Sequence, residues 1–213
     1  MVAPTPHSPL TAGEEDSAKR RQILAGAGKI FMDLGFDGAS MGEIARAAGV
    51  SKGTLYVYFA DKNRLFEAIV EQEALEQGKV TFNYAPGRDV PTTLRDFGQT
   101  YIHLLCRPGG GSAIRTVMAI AERMPEVGRR YYEQSLEKTI NRLADYLDVH
   151  VQAKELAIPD RQLAASQFMQ MCQASLFLRF IFQAAPPPSA KRIAEVVESA
   201  TRMFLAAYQV KAG

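Results

Sequence analysis

The sequence predicts an all-α protein of about nine helices, a short three-helix head followed by a larger helical body. Three observations carry this expectation. From Ser17 almost to the end, apolar residues recur at three- and four-residue steps, which gathers them on one face of successive helices. Alternating β-branched runs, the mark of strands, do not occur. Ser, Asp or Pro stands where each periodic run starts, and Gly or Pro where most of them stop.

The elements follow in order. Met1 to Asp16 combines Pro4, Pro6 and Pro9 with Glu14, Glu15 and Asp16 and has no periodicity, so a disordered tail is expected. Ile23, Leu24, Ala27, Ile30, Phe31 and Leu34 form one helix face, and Gly35 suits a left-handed stop. Ser40 to Glu43 reads as a capping box, and the short helix it opens ends at Gly49. Ser51 can cap a second short helix, Lys52 to about Tyr58. Asp61 can cap a third, from Lys62 to about Val80. Pro86, Gly87 and Pro91 then break the chain.

In the body, Leu94, Phe97, Tyr101, Leu104 and Leu105 share a face, and Pro108 to Gly111 ends their helix. Ser112 can cap a helix from Ala113 to Met124. Pro125 opens one that runs through Leu147, and Pro159 with Asp160 opens another to about Gln183. Pro186 to Pro188 stops that one, and a last helix carries Ile193, Val196, Val197, Ala200, Phe204 and Tyr208.

Composition limits the function classes. With 213 residues, 47% hydrophobic and 23% charged, the chain has enough apolar material for a core, which excludes global disorder. No run of about 18 apolar residues exists, so no membrane span is expected. The first ten residues lack the basic start and greasy run of a secretion signal. Cys106 and Cys172 lie in apolar runs with no CxxC, which reads as two buried free thiols in a reducing cytoplasm. Three scattered histidines, and no GxSxG, HExxH or dinucleotide fingerprint, argue against an enzyme and against a metal or cofactor. The Gly109 to Gly111 run lacks the GK[ST] ending and a preceding strand, so it reads as a loop rather than a phosphate cradle.

The informative stretch is Ser40 to Lys62. Two short helices across a Gly-containing turn make a helix-turn-helix. Ala45 supplies a small residue for the close crossing, Gly49 the positive φ of the turn, and Val50 and Leu55 the apolar lock. The start of the second helix holds Ser51, Lys52, Gly53 and Thr54, and no carboxylate lies between Ser51 and Tyr58, so this face can approach phosphates. Ser51 reads as a cap and also as a phosphate donor. Lys52 and Lys62 sit in first helical turns, where a cation opposes the helix dipole, so they suggest a phosphate clamp rather than local stability. Tyr56 and Tyr58 point to different sides, one toward the nucleic-acid backbone and the other to packing. Lys19, Arg20 and Arg21 are either a solvated face or a backbone contact, and Ser40 and Arg20 are expected to assist there. On these assignments, Lys62→Ala weakens binding to all sequences alike and flattens the salt slope.

Gly49-Val50-Ser51-Lys52-Gly53-Thr54-Leu55-Tyr56-Val57-Tyr58-Phe59, followed by Asp61-Lys62, resembles the tetracycline-repressor-like (TetR) regulators. Ile30-Phe31, Gly35-Phe36, Ala39-Ser40-Met41 and Ile44-Ala45 match as well, so the likeness spans residues 20 to 68. Family members commonly have Thr where Ser40 stands and Tyr-His where Val57-Tyr58 stands. The resemblance implies a homodimeric repressor whose last two helices pair with their mates in a four-helix bundle. It also implies that the middle helices enclose a small-molecule site, and that ligand respaces the two heads and releases the operator. The body looks most like the AefR-like subgroup.

The body's own residues bear on this. Gln167 to Ala185 is apolar around nearly its whole circumference, as a subunit interface or a central core helix requires. Met171, Leu178, Phe182, Val197 and Phe204 are the interface candidates. Phe97, Tyr101, His103, Leu104, Met118, Tyr132 and Phe168 are candidates to line a small-molecule pocket, although the same residues would make an ordinary core. Two symmetry-related heads then predict a near-palindromic double-stranded DNA operator with half-sites about 34–36 Å apart.

The domain reading is a tail over 1–16, a DNA-binding head over 17–62 extending into the connecting helix to about 80, and an effector-binding and dimerisation domain over 63–213. The functional reading is a ligand-released repressor. The alternatives are a small-molecule binding protein with a vestigial head, or a dimeric DNA-binding activator without an effector. Net charge is only +2, but seven basic residues against four acidic ones between Ser17 and Lys62 leave the head at +3. Dimerisation would double that local basic surface.

Overall fold

The computed structural model describes residues 12–78, 87–107 and 110–210. Among them are eleven α-helices and one π-helical turn, with no strand and one isolated bridge pairing Leu156 with Gln209. The chain divides into two compact units between Ile69 and Val70.

The first unit contains α1 (Ala12–Gly38), α2 (Met41–Ala47), α3 (Lys52–Tyr58) and the start of α4 (Lys62–Gly78). Residues 1–11 of the expected tail lie outside the described residues. Ala12 to Asp16 are helical, contrary to expectation. The Asp16 carboxylate accepts from the Tyr58 hydroxyl at 2.7 Å, a contact 42 positions away that ties this part of α1 to α3. Gly35 has φ 71 and interrupts α1 where the sequence placed a stop. Ile23, Leu24, Ala27 and Phe31 of α1 are buried, as are Ile44, Leu55, Phe59, Leu65 and Phe66. Phe66 packs edge-on to both Phe31 and Phe36, with ring centroids 5.2 Å apart in each pair.

α1 crosses the end of α2 closely at Gly26. A Cβ on Gly26 would lie 2.6 Å from both Cα and N of Ala48. At that point the Gln22 Nε2 donates to the Ala48 carbonyl at 2.7 Å, tying α1 to the end of α2. Ala45, expected at the crossing of α2 with α3, is buried. Beyond Ala48 the chain turns as a Schellman motif. The Val50 N–H donates to the Ala45 carbonyl at 3.0 Å, the Gly49 N–H donates to the Arg46 carbonyl at 3.1 Å, and Gly49 takes φ 63.

The second unit contains the rest of α4, then α5 (Val90–Leu105), α6 (Gly110–Ile120), α7 (Pro125–Tyr131), the π turn (Tyr132–Glu137), α8 (Lys138–Gln152), α9 (Arg161–Gln173), α10 (Phe177–Ile181) and α11 (Ala190–Tyr208). Asp89, Asp160 and Ser189 cap α5, α9 and α11 through side-chain oxygens. Leu94, Phe97, Ile102, Leu143, Leu147, Phe168, Val197 and Phe204 belong to one buried cluster drawn from α5, α8, α9 and α11. Gly98 of α5 admits α11 and α9, since a Cβ there would lie 2.7 Å from Val197 Cγ1 and 2.9 Å from Cys172 Sγ.

Three boundaries differ from the sequence reading. First, α6 starts at Gly110, so Ser112 is inside the helix, and it ends at Ile120 rather than Met124. Second, the helix opened by Pro125 widens into the π turn, where the Ser135 hydroxyl donates to the Tyr131 carbonyl at 2.5 Å and the Thr139 hydroxyl to the Ser135 carbonyl at 2.8 Å. Third, the expected helix to Gln183 breaks at Ala174 and Ser175, with Ser175 at φ 59. No Pro or Gly marks that break. Beyond it Leu176 is buried in the core, so tertiary packing overrides local helix propensity there.

Cys106 and Cys172 are free and buried. Burial pushes their thiols up from 9.0 to about 11 and about 12, respectively. The native thiols keep their protons where the unfolded chain has lost them, so stability present below pH 9 is lost as pH rises toward 12. We expect the thermal midpoint to fall across that window, and a disulfide exchange reagent to find two thiols only after unfolding. Rapid labelling of the native protein would show that the thiols are accessible.

Candidate nucleic-acid interface and ligand cavity

The head is built around α3. Ser51 caps it: its hydroxyl oxygen accepts the Thr54 N–H at 3.0 Å and meets the Thr54 hydroxyl at 2.8 Å. Lys52 and Gly53 are exposed, Thr54 is half-buried, and the helix contains no carboxylate. Leu55 anchors the opposite side in the core. The two tyrosines diverge as the spacing requires. Tyr56 is exposed, whereas the Tyr58 hydroxyl donates to the Asp16 carboxylate at 2.7 Å, which pushes the phenol above its ordinary value. Val57 is 83% exposed, so an apolar side chain faces outward from α3.

The other expected contacts sit differently. The Ser40 hydroxyl donates to the Glu43 carboxylate at 2.6 Å and accepts the Glu43 N–H at 3.3 Å, so the capping box engages it. Those bonds hold the Glu43 carboxyl below its ordinary value. Arg20 lies over the Phe59 ring, 5.5 Å from its centroid, with the side chain exposed. Lys62 departs from the sequence reading. Its ammonium donates to the Phe36 carbonyl at 2.7 Å and the Ala39 carbonyl at 3.0 Å, and lies 4.6 Å from the Phe36 ring centroid. A cation at the start of α4 opposes that helix's dipole, but here it answers carbonyls at the end of α1. Lys62 is therefore part of the head's local stability, and Lys52 is left as the exposed cation on α3.

Sequence reasoning missed Gln22, Gly26 and Asp16. Their partners lie 22 to 42 positions away, and periodicity carries no signal for such pairs.

The body holds a cavity of about 740 Å³ bounded by α5, α6, α7, the π turn, α9 and α10. Tyr101, Leu104, Met118 and Tyr132 line it. Phe97 and Phe168 do not; they pack against each other inside the core, with ring centroids 6.2 Å apart. His103 is exposed and away from the lining, on the polar face of α5. The cavity's polar end is a pair the sequence did not show, the Gln173 Nε2 donating to the Tyr101 hydroxyl oxygen at 2.8 Å. Burial pushes the Tyr101 phenol well above its ordinary value, so it stays protonated.

The interface candidates divide. Val197 and Phe204 are 0% and 1% exposed because their own protomer's core covers them. Leu178 and Phe182 are exposed on and just beyond α10, Leu178 also lines the cavity, and Met171 is half-buried. The segment looked apolar all round because a single straight helix was assumed. In fact α9 and α10 bury different faces on either side of the break. Leu163, Met171 and Met203 are the outward apolar residues of α9 and α11 that the sequence reading would need in place of Val197 and Phe204.

A helix-turn-helix head joined in one chain to an all-helical body with a cavity is the build of a DNA-binding regulator. The comparisons agree. Residues 23–69 match the model of bacterial regulatory proteins of the tetR family, and residues 92–210 match the AefR-like transcriptional repressor C-terminal domain. A TetR-family regulator from Mesorhizobium loti MAFF303099 superposes with a TM-score of 0.83 at 28% identity, covering 91% of this chain and 98% of that one. The flavonoid-responsive regulator FrrA superposes at 0.74 with 31% identity, covering 92% of this chain and 100% of its own. The HTH-type transcriptional repressor Rv1474c of Mycobacterium tuberculosis is 28% identical over 61% of this chain. The chain spans 65% of that repressor's length and 38% of the AcnR repressor of Corynebacterium glutamicum. The chain belongs to the TetR family of transcriptional regulators, with an AefR-like C-terminal domain. No described helix is long and apolar enough to cross a membrane.

Proposed function

We propose that this protein is a homodimeric cytoplasmic repressor that reads a near-palindromic double-stranded DNA operator through α3 of each protomer. A small molecule in the body cavity releases it. The observation that carries this reading is α3 itself, whose Ser51-to-Thr54 turn is outward, small or basic, and free of carboxylates. Ser51, Lys52 and the first-turn amides meet phosphates, and Thr54, Tyr56 and Val57 face base edges. Tyr58, Ser40, Arg20 and Lys62 hold the geometry of the head. Small-molecule response is supported by the cavity and by the likeness to a flavonoid-responsive regulator. The domain assignment follows: the head through the start of α4 binds DNA, and the rest binds effector and dimerises.

Selection of bound sequences from a randomised duplex library, repeated across salt concentrations, tests the reading. The expected result is an inverted repeat with half-sites one helical turn, or a small multiple of it, apart. Loss of all binding at physiological salt, with no selected sequence, would leave a small-molecule binding protein. We expect Thr54→Ala to keep the salt slope while relaxing preference at one position per half-site. An unchanged sequence profile would remove Thr54 from base reading. A promoter-reporter assay separates repression from activation, and sedimentation gives the oligomeric state.

A further inference from the structure

We propose that the ligand of the body cavity is an uncharged, aromatic-bodied molecule with one hydrogen-bonding end, and that the Tyr101–Gln173 pair reads that end. This rests on the proposed ligand response and deepens it.

The first argument is charge. Among the described residues, no Asp, Glu, Lys, Arg or His lines the cavity. A carboxylate, phosphate or ammonium placed there would be desolvated without a partner, which a binding site does not tolerate. The second is shape. Tyr101, Tyr131, Tyr132 and Phe177 place four rings on a wall that is aliphatic or small apart from Gln170 and Gln173 of α9, and rings of this kind stack on or edge against flat aromatic faces. At about 740 Å³ the space is within the range that holds drug-sized ligands, about 300–1,000 Å³.

The third argument is where the polarity lies. Tyr101 spends one lone pair on Gln173 and keeps its proton to donate, and Gln173 keeps its amide oxygen to accept. Whichever way the amide is turned, the pair retains a donor and an acceptor. Gln170, one turn before Gln173 on α9, and Ser175, whose hydroxyl accepts from Arg192 at 3.3 Å, line the cavity beside the pair, whereas the Ser135 and Thr139 hydroxyls already donate to backbone carbonyls. The pair therefore suits a phenolic hydroxyl or a ring carbonyl. It also stands at a break in the wall: Gln173 is the last residue of α9, directly before Ala174 and the left-handed Ser175. The π turn lies on the cavity wall as well. A ligand that engages Gln173 thus pulls on the joint between α9 and α10.

A matched trio without a ring carbonyl tests the assignment on the full-length protein by calorimetry at neutral pH: 2-phenylnaphthalene, 2-(4-hydroxyphenyl)naphthalene and 4-(2-naphthyl)benzoate. The hydroxyl compound is expected to bind best, and the carboxylate at least a hundredfold more weakly. Tyr101→Phe and Gln173→Met should each cost the hydroxyl compound several-fold up to about tenfold in affinity while leaving the bare 2-phenylnaphthalene unchanged. Retained thermal unfolding in either variant separates a lost contact from a lost fold. Equal binding of the carboxylate, binding of none of the three, or variants that leave the hydroxyl compound unaffected overturns the assignment. Release of the selected operator duplex is read separately. Binding without release overturns the ligand-released repressor and leaves the cavity's chemistry standing.

Discussion

Replacing Gly26 by alanine is expected to destabilise the DNA-binding head. The added Cβ would lie 2.6 Å from the Cα and N of Ala48 and 2.8 Å from its Cβ. These are mostly backbone atoms, which cannot step aside as a flexible side chain would. In an exposed helix the same substitution would stabilise by about 1 kcal/mol through helix propensity. Here α1 and α2 must separate, which costs about 1–3 kcal/mol for overpacking and also strains the Gln22–Ala48 bond at the same crossing. Gly28 supplies the control two residues on. Nothing lies within 4 Å of its Cβ position, so Gly28→Ala is expected to be neutral or stabilising. Thermal unfolding and duplex binding of both variants decide the matter. If Gly26→Ala unfolds at the same temperature as Gly28→Ala, the close approach of α1 to Ala48 is wrong.

Substituting Lys62 by methionine is expected to loosen the head without changing the salt dependence of DNA binding. The ammonium holds the Phe36 and Ala39 carbonyls where α1 ends, and charge-assisted bonds of this kind are worth about 1.5–3 kcal/mol. Methionine keeps the stem and loses the donors, so both carbonyls must find water. Affinity should fall for every sequence in proportion to the destabilised head. The slope of log affinity against log salt should stay put, because no phosphate contact is lost. Lys52→Met should do the reverse, keeping the unfolding temperature and making the slope shallower by about one. A Lys62 variant that keeps its stability and flattens the slope would return that lysine to the phosphate backbone, as the sequence alone suggested.

The contrast between these lysines shows which parts of the head were legible. Both stand in the first turn of a helix, and one-dimensional reasoning treats them alike. Lys52 extends from a helix whose neighbours leave it exposed, while Lys62 meets carbonyls 23 and 26 positions earlier. The same difference runs through the body. Phe97 and Tyr101 lie one turn apart on α5 and share its apolar face. Phe97 enters the core, and Tyr101 reaches the cavity through a partner 72 positions later. Val197 and Phe204 carry the apolar signal expected of an interface, and their own protomer covers them.

What the sequence by itself determined is a set of contacts that close within about five residues. The Ser40 capping box, the Gly49 turn, the Ser51 cap, and the caps and proline stops of the longer helices are short-range hydrogen bonds and dihedral limits, so residue type and spacing suffice to place them. That local grammar defined the all-α fold and the helix-turn-helix. The tertiary structure alone decided which glycine bears the close crossing of α1 with α2, where Lys62 spends its charge, where the helix after Asp160 breaks, and which apolar residues face a cavity instead of the core. Those outcomes depend on distant segments competing for the same space, and helical periodicity names the face that is buried without naming what covers it.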